Sequence, residues 1–197
     1  MQVRKEQRRE QVLEAALEVV AERGLANTRM SDISERAAMS SGHVLYYFKT
    51  KEALLMEALR FIEARVYEEA DAELPGLPPG AERLRRLLEL NLPEGRGDPR
   101  WMLWLEAWTL APHDEPIARL IAELDRRWVD RLGATVHEGI EAGAFACEDE
   151  GGFAYRFSAM FDGLAVQVVT GAERGKQQAL RTCMLAAARE LGFNADA

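Results

Sequence analysis

The sequence predicts an all-α protein of about nine helices, with a small three-helix head at the N-terminus and a larger helical body after it. Apolar residues recur at helical spacing through most of the chain, and no alternating pattern long enough for a β-strand is present. Clusters of Gly and Pro separate the apolar stretches and mark the ends of the helices. We expect residues 1–49 to form the head and residues 50–197 to form the body.

The first helix is predicted from about Arg4 to Arg23, where Gly24 provides a C-terminal stop. Basic side chains crowd its start: Arg4, Lys5, Arg8 and Arg9. They form either a solvated face paired with nearby glutamates or a nonspecific clamp for nucleic-acid phosphates.

Residues 28–54 predict two short helices joined by a tight turn, followed by the start of a third. In the first, Ile33 and Ala37 face inward, and Thr28 is expected to cap the N-terminus. The second begins near residue 41 and is expected to bury Val44, Leu45 and Phe48. Its outer face then carries short polar and aromatic side chains, namely Ser41, Gly42, His43, Tyr46 and Tyr47. This is the helix-turn-helix layout, in which the second helix enters the major groove of DNA.

The same window resembles the DNA-binding motif of the tetracycline-repressor (TetR) family. It matches the family pattern at Thr28, Ile33, Ala37, Ser40, Gly42, Tyr47, Phe48, Lys51 and Leu54. It departs at Ala38, where the family usually has Gly, and at Leu45, where it usually has Tyr. An alanine in a left-handed turn costs about 1 kcal/mol. The missing tyrosine hydroxyl removes one phosphate contact, for which neighbouring Tyr46 is a substitute.

The resemblance implies that a double-stranded DNA operator is a partner of the chain. Bases and the phosphates next to them would be contacted by Ser41, Gly42, His43, Tyr46 and Tyr47. Phosphates would mainly be held by Thr28, Arg29, Ser40 and Lys51. A lysine in the first turn of a helix is unfavourable on dipole grounds, so Lys51 makes better sense with a phosphate bound nearby.

The body is predicted to contain six helices, of which the first is capped by Thr50 and runs to about Asp71. The others are expected at about 81–92, from Pro99 onward, at about 115–142, 150–170 and 176–191. Asp98 and Pro99 form an N-cap and first-turn pair, which fixes the start of the third body helix.

Three tryptophans, Trp101, Trp104 and Trp108, fall on one face of that helix together with Leu105. They are either packed between body helices or part of the wall of a ligand pocket, where flat aromatic rings suit a planar or cationic molecule. Glu106 and His113 are polar candidates nearby, although Glu106 fits a surface position equally well. The surrounding stretch is similar to the body of betaine-synthesis (BetI-type) repressors, which implies a small-molecule inducer such as choline.

The last two helices carry broad apolar stripes that are either ordinary core or a dimer interface. In the TetR family the final helices form a four-helix bundle with a second subunit, so the resemblance implies a homodimer. The interface residues it implies are Phe153, Phe157, Phe161, Leu164, Val168, Leu180, Met184 and Ala187.

Charge is distributed unevenly, which matters more than the net value of −8. Residues 1–52 carry nine Lys or Arg against eight Asp or Glu, whereas the remainder carries sixteen against twenty-five. The acidic excess therefore lies outside the predicted head and permits DNA binding there. The sequence shows no apolar run of membrane length and no signal core, and its Cys147 and Cys183 stand alone. We therefore expect a cytoplasmic protein without membrane, metal or cofactor.

We do not expect an enzyme, because His43, His113 and His137 are scattered and no catalytic motif has a workable spacing. The expected function is a homodimeric transcriptional repressor that binds a palindromic operator and is released by an unknown small-molecule inducer. The alternative is a DNA-binding regulator without a small ligand, controlled by protein partners.

Overall fold

A computed structural model describes residues 2–172 and 175–194, and within these ranges all of the regular secondary structure is helical. The described α-helices are α1 (Gln2–Arg23), α2 (Met30–Arg36), α3 (Ser41–Tyr47), α4 (Lys51–Glu73), α5 (Ala81–Asn91), α6 (Pro99–Leu110), α7 (Glu115–Glu141), α8 (Glu150–Val169) and α9 (Lys176–Leu191). Short 3-10 turns follow α4 at Leu74–Gly76 and α6 at Ala111–His113. The predicted fold class is confirmed.

Local capping explains several of these boundaries. The Thr50 hydroxyl accepts a hydrogen bond from Ala53 N at 3.1 Å, so the predicted cap of α4 is confirmed. Asp98 caps α6 by accepting from Arg100 N at 2.8 Å, with Pro99 at the first helical position.

The predicted cap of α2 is wrong. Its N-cap is Arg29, whose backbone N–H donates to Asp32 Oδ2 at 2.8 Å. The Thr28 hydroxyl instead donates to Gly24 O at 2.8 Å, back toward α1. An aspartate at the third helical position can satisfy the terminus from inside the helix, which leaves Thr28 available for the preceding turn.

The described residues pack as two compact units. One is formed by residues 2–65 and 97–122, and the other by residues 66–96, 123–172 and 175–194. These packing units are not the functional division at residues 49 and 50, which stays a prediction.

In the first unit, α1 packs against both α2 and α6, and α2 packs against α3. Its core includes the fully buried Leu13, Ile33 and Val44. Gln11 Nε2 donates to Ala37 O at 2.9 Å, and Arg36 bonds Glu18 and Glu22 at 2.7 and 2.8 Å, so α2 is fixed against α1 by polar contacts as well.

In the second unit, α9 packs against α8 and α5. Its core contains the fully buried Leu84 and Leu88 of α5 together with aromatic residues of α8. The α9 helix ends at Leu191 and is followed by Gly192, whose φ of 72° is left-handed, as expected of a glycine stop. None of the described helices has the length and apolar character needed to cross a membrane.

Candidate functional site

The α3 helix presents an exposed face that is anchored from beneath by two residues. Val44 is fully buried and Phe48, one turn later, is 3% exposed, so both lie on the inner side. Leu45 is 44% exposed, and its predicted burial is therefore wrong. Successive residues of a helix are separated by about 100°, so the burial of Val44 turns Leu45 away from the core, and Phe48 follows α3 as its extended C-cap.

Five residues of the short α3 helix were predicted to contact bases, and the structure places four of them outward. Ser41, Gly42, His43 and Tyr46 are exposed, with 67% of Tyr46 accessible to solvent, whereas Tyr47 is half-buried. Ser40 caps the helix by accepting from His43 N at 3.3 Å. The helix is thus held in place from below and at its start, while its upper surface makes few contacts with the described chain.

Gly42 has no role in packing that the structure reveals. A Cβ built on it would meet no atom within 4 Å, and its φ is not positive. Glycine in a helix costs about 0.5–1 kcal/mol relative to alanine. The chain therefore tolerates a helix-weakening residue at a position where alanine would fit the free protein.

Basic side chains border this face. The Lys5 ammonium lies 5.6 Å from the Tyr46 ring, and Tyr46 packs edge-on against Tyr47 at 5.3 Å. Arg29 and Lys49 are exposed at the two ends of the motif. Arg9 lies 5.7 Å from the Phe48 ring and forms an ion pair with Glu57 in α4, so this member of the predicted basic cluster has a structural contact.

Two residues predicted to hold phosphates are already bonded within the chain. Thr28 is 1% exposed, and its hydroxyl is used by Gly24 O. The half-buried Lys51 donates from Nζ to Leu25 O at 3.0 Å. Either residue would have to exchange these bonds to reach DNA, and its phosphate role stays a prediction.

The sequence did not predict the contact made by Glu106 of α6. Its Oε1 accepts a hydrogen bond from Leu25 N at 3.0 Å, so Leu25 is held at its N–H by Glu106 and at its carbonyl by Lys51. A single carboxylate in the otherwise apolar run of α6 was the only signal in the sequence.

The tryptophans of α6 form one cluster. The Trp108 ring lies 6.1 Å from Trp101 at 65° and 5.9 Å from Trp104 at 40°. Trp101 is 7% exposed and belongs to the core, whereas Trp104, Leu105 and Trp108 are half-buried. His113 is exposed at the end of the 3-10 turn. The half-buried indole faces are the part of this set that a ligand can contact.

The predicted dimer residues are buried within the single chain. Phe153, Phe157, Phe161, Leu164, Val168, Leu180, Met184 and Ala187 are each at most 8% exposed. These side chains have little surface left to bury against a second copy, and their role as interface residues stays a prediction.

The outer faces of α8 and α9 carry a different set. Tyr155 is 71% exposed and Leu185 is 43% exposed, and the small residues Ala159 and Gly163 are exposed beside Tyr155 on α8. Among the described residues, the large exposed hydrophobic side chains are Leu45, Tyr46, Tyr155 and Leu185. They lie on three helices, with Leu45 and Tyr46 on α3, Tyr155 on α8 and Leu185 on α9.

The second unit contains a carboxyl group with a strongly shifted pKa. Burial and the charge of Asp125 raise the pKa of Asp162 on α8 to about 7. Trp128 of α7 packs against Phe161 at a tilt of 42°, with ring centroids 5.2 Å apart, and its buried Nε1 has no acceptor within the described part of the chain.

Comparison with known proteins gives a family match for the N-terminal helix-turn-helix and another for the C-terminal helices. Residues 12–58 match the family of bacterial regulatory proteins of the tetR type, and residues 79–192 match the C-terminal domain of BetI-type transcriptional repressors. The HTH-type transcriptional regulator BetI of Escherichia coli O17:K52:H18 is 28% identical over 80% of each chain. That of Vibrio vulnificus is 31% identical over 64% of this chain and 65% of its own.

Solved structures give the same result for the fold. A transcriptional regulator of Saccharomonospora viridis, crystallised in complex with choline, is 31% identical with a TM-score of 0.83 over 93% of this chain and 96% of its own. A TetR regulator of Haloarcula marismortui, 23% identical, shares the fold with a TM-score of 0.78 over 95% of this chain and 97% of its own. The family is one of transcriptional regulators rather than enzymes. The chain therefore belongs to the TetR family of transcriptional regulators and has a C-terminal domain of the BetI repressor type.

Proposed function

We propose that the protein is a homodimeric repressor that binds a palindromic operator through α3 and leaves it when a choline-like quaternary ammonium ligand binds the body. Residues 1–49 act as the DNA-binding head, and residues 50–197 act as the ligand-binding and dimerisation body. A cytoplasmic location follows from binding to chromosomal DNA.

The exposed face of α3 is the observation that carries DNA recognition. It offers the Ser41 hydroxyl, the His43 imidazole and the Tyr46 phenol, all of which can hydrogen-bond to base edges or phosphates. Gly42 lies between them with open space above its Cα. A backbone without a side chain lets a DNA strand approach closely, which explains a glycine that the free protein does not need.

Phosphate contacts are expected from the exposed cations that border α3. Lys5, Arg29 and Lys49 are exposed around the motif, and Arg4 and Arg8 are exposed on α1. Such contacts set affinity and register but carry little sequence information, so they make binding salt-dependent.

Dimerisation is proposed through the outer faces of α8 and α9, on which Tyr155 and Leu185 are exposed. Ala159 and Gly163 would allow two α8 helices to approach closely, and Tyr155 would supply a large amphipathic contact. A twofold dimer places two recognition helices on one face of a duplex, which matches a palindromic site.

The ligand is proposed to be choline or a close relative. The support is the Saccharomonospora viridis regulator, which shares 31% identity over 93% of this chain and binds choline. Trp104 and Trp108 provide half-buried indole faces 5.9 Å apart, and a quaternary ammonium is attracted to such faces by cation–π interaction. Leu105 and His113 are the other proposed ligand contacts. The alternative is regulation by a protein partner without a small ligand. A choline titration of the protein–operator complex distinguishes it from the proposed choline response.

Operator binding is tested with fluorescein-labelled duplexes that tile the DNA upstream of the chain's own gene. Gly42→Ala is expected to weaken binding about tenfold, which is roughly 1.4 kcal/mol. It should also raise the free energy of unfolding of the free protein by about 0.5–1 kcal/mol, because alanine favours the helix. Anisotropy titration and urea unfolding measure the two effects.

The matched control is Gly133→Ala in α7, where an added Cβ would meet Ala154 at an ordinary 3.8 Å. This variant should gain stability without losing operator affinity. If Gly42→Ala binds DNA as tightly as the wild type does, α3 does not approach DNA at this residue and the proposed interface is wrong.

A further inference from the structure

Leu25, in the turn between α1 and α2, is held at both of its backbone polar groups. Its N–H donates to Glu106 Oε1 at 3.0 Å, and its carbonyl accepts from Lys51 Nζ at 3.0 Å. The Leu25 side chain is 7% exposed, so the residue is also fixed by packing. The turn that leads into the helix-turn-helix is therefore linked to α6 on one side and to the start of α4 on the other.

Gly24 makes the contact with Glu106 possible. It has a φ of +75°, and a Cβ built on it would lie 3.2 Å from Glu106 Oε1. Glycine at this position thus ends α1 in a left-handed conformation and leaves space for the carboxylate. The Thr28 hydroxyl bonds to Gly24 O at 2.8 Å, so the following residues are fixed to the same short segment.

The position of Glu106 on α6 gives the link its functional meaning. Trp104 and Trp108, the proposed ligand contacts, lie two residues before and two residues after it on the same helix. A helix moves as a stiff unit, so a ligand that shifts the tryptophans also shifts the carboxylate. A carboxylate accepting from a backbone N–H is a charge-assisted hydrogen bond, and it weakens steeply when the atoms are displaced or misaligned.

We propose that Glu106 is a positioning residue that transmits ligand occupancy of α6 to the DNA-binding head. Without ligand, its bond to Leu25 N holds the α1–α2 turn, and with it α2 and α3, in the arrangement that fits the operator. Ligand binding moves α6 and breaks this bond, so the turn loses its link to α6 and keeps only its link to α4 through Lys51. This inference rests on the proposed choline response and identifies the route by which that response reaches DNA.

The proposal predicts how three variants at one position differ. Glu106→Ala removes the acceptor, Glu106→Asp keeps the charge on a shorter side chain, and Glu106→Gln keeps an acceptor oxygen in the same place. Glu115→Gln, an exposed carboxylate paired with Arg119 at the start of α7, is the control. Each protein is titrated with the upstream duplex in about 10 mM choline chloride and, separately, in sodium chloride of the same concentration. The affinity of each protein for choline is measured by calorimetry.

The quantity that decides is the ratio of operator dissociation constants with and without choline. Choline affinity should stay within about twofold of wild type in every variant, since the Glu106 carboxylate is bonded to Leu25 N and is not one of the proposed ligand contacts. The ratio should fall at least about fivefold in Glu106→Ala and Glu106→Asp, be largely restored in Glu106→Gln, and stay unchanged in Glu115→Gln. A residue that only supported stability would lower the melting temperature without changing this ratio.

Amide hydrogen exchange at Leu25 supplies a second readout that needs no DNA. Exchange should accelerate in Glu106→Ala, and in the wild-type protein when choline is added. An unchanged operator ratio in Glu106→Ala, or a Leu25 amide that exchanges at the same rate with and without choline, overturns the role of Glu106. If wild-type operator affinity is itself insensitive to choline, the proposed choline response is wrong and the transmission role falls with it. In that case, faster exchange of the Leu25 amide in Glu106→Ala would show that Glu106 bonds Leu25 but does not transmit ligand binding.

Discussion

Ala38 is one of two positions at which the helix-turn-helix departs from the TetR pattern, which usually has Gly there. Ala38 has a φ of 51°, and among the described residues it is the non-glycine with a positive φ. The sequence predicted this strain, because the turn between the two motif helices needs a left-handed residue at that position. The chain therefore keeps the turn geometry although the residue best suited to it is absent.

Ala38→Gly should leave the free energy of unfolding unchanged or raise it by up to about 1 kcal/mol. The relief of backbone strain, about 1–2 kcal/mol, exceeds or balances the entropy that glycine adds to the unfolded chain. Urea unfolding measures the change. The neighbouring Ala37→Gly is the control, because Ala37 has a φ of −73° and is 2% exposed.

Ala37→Gly should lower stability by about 1 kcal/mol, since it only loses a buried methyl group and gains chain entropy. Equal losses in the two variants would mean that Ala38 is not strained.

Asp162 gives the stability of the second unit a predictable pH dependence. Its pKa is raised to about 7 by burial and by Asp125, so the folded chain holds a proton that the unfolded chain releases near pH 4. The free energy of unfolding should therefore fall as pH rises from about 4 to 7, by an amount on the order of 3 kcal/mol. The stabilising contribution is complete below the unfolded pKa and is lost above the folded one.

Asp162→Asn should flatten that pH dependence and be more stable than wild type at pH 8. Urea unfolding at pH 5 and pH 8 measures the slope, with the exposed Asp130→Asn of α7 as control. If Asp162→Asn and wild type lose the same stability between the two pH values, Asp162 is not the group that titrates.

At the scale of elements, the sequence predicted helix positions well because the end signals are local. Asp98 with Pro99 and Thr50 each act within one turn of their own helix, and the structure confirms both. Thr28 was misplaced because Asp32 competes for the same terminus. Leu45 was misplaced because apolar character was taken as inward direction, whereas Val44 and Phe48 already occupy the inner side of α3.

The side chains predicted to form the dimer face lie on the inner sides of α8 and α9. The most apolar stripes of α8 and α9 fill the chain's own core, as Phe153 and Leu180, both fully buried, illustrate. A periodic stripe reports burial but not the identity of the surface that covers it. The contact between Glu106 and Leu25 escaped prediction for a related reason, because it joins residues 81 positions apart in the sequence.

Charges on the outer faces of α8 and α9 should dissociate the proposed dimer. Tyr155→Glu combined with Leu185→Glu places two carboxylates in the proposed interface, where they lose hydration and repel their symmetry mates. The variant should remain helical and sediment as a single chain at micromolar concentration, and its operator affinity should fall by about 100-fold or more because one head alone remains.

Ala64→Glu, an exposed position on α4, adds charge outside the proposed interface and should leave the dimer intact. A double variant that remains dimeric would place the interface elsewhere.

For the molecule as a whole, the uneven charge and the exposed hydrophobic side chains agree with the proposed division into a DNA-binding head and a dimerising body. The chain carries a net charge of −8, yet residues 1–52 are close to balanced. The large exposed hydrophobic side chains of the described residues are confined to α3 and to α8 and α9. In the proposed function, the residues on α3 meet DNA and those on α8 and α9 meet a second copy, while the acidic remainder disfavours nonspecific contact with a polyanion.

The most direct test of this arrangement is sedimentation of the fluorescein-labelled upstream duplex with excess protein, in sodium chloride and in choline chloride of equal concentration. The duplex should sediment with two chains of 22.1 kDa bound in sodium chloride and as free DNA in choline chloride. A duplex that binds a single chain, or one that stays free at micromolar protein in both salts, would contradict the proposed dimeric, ligand-released regulator.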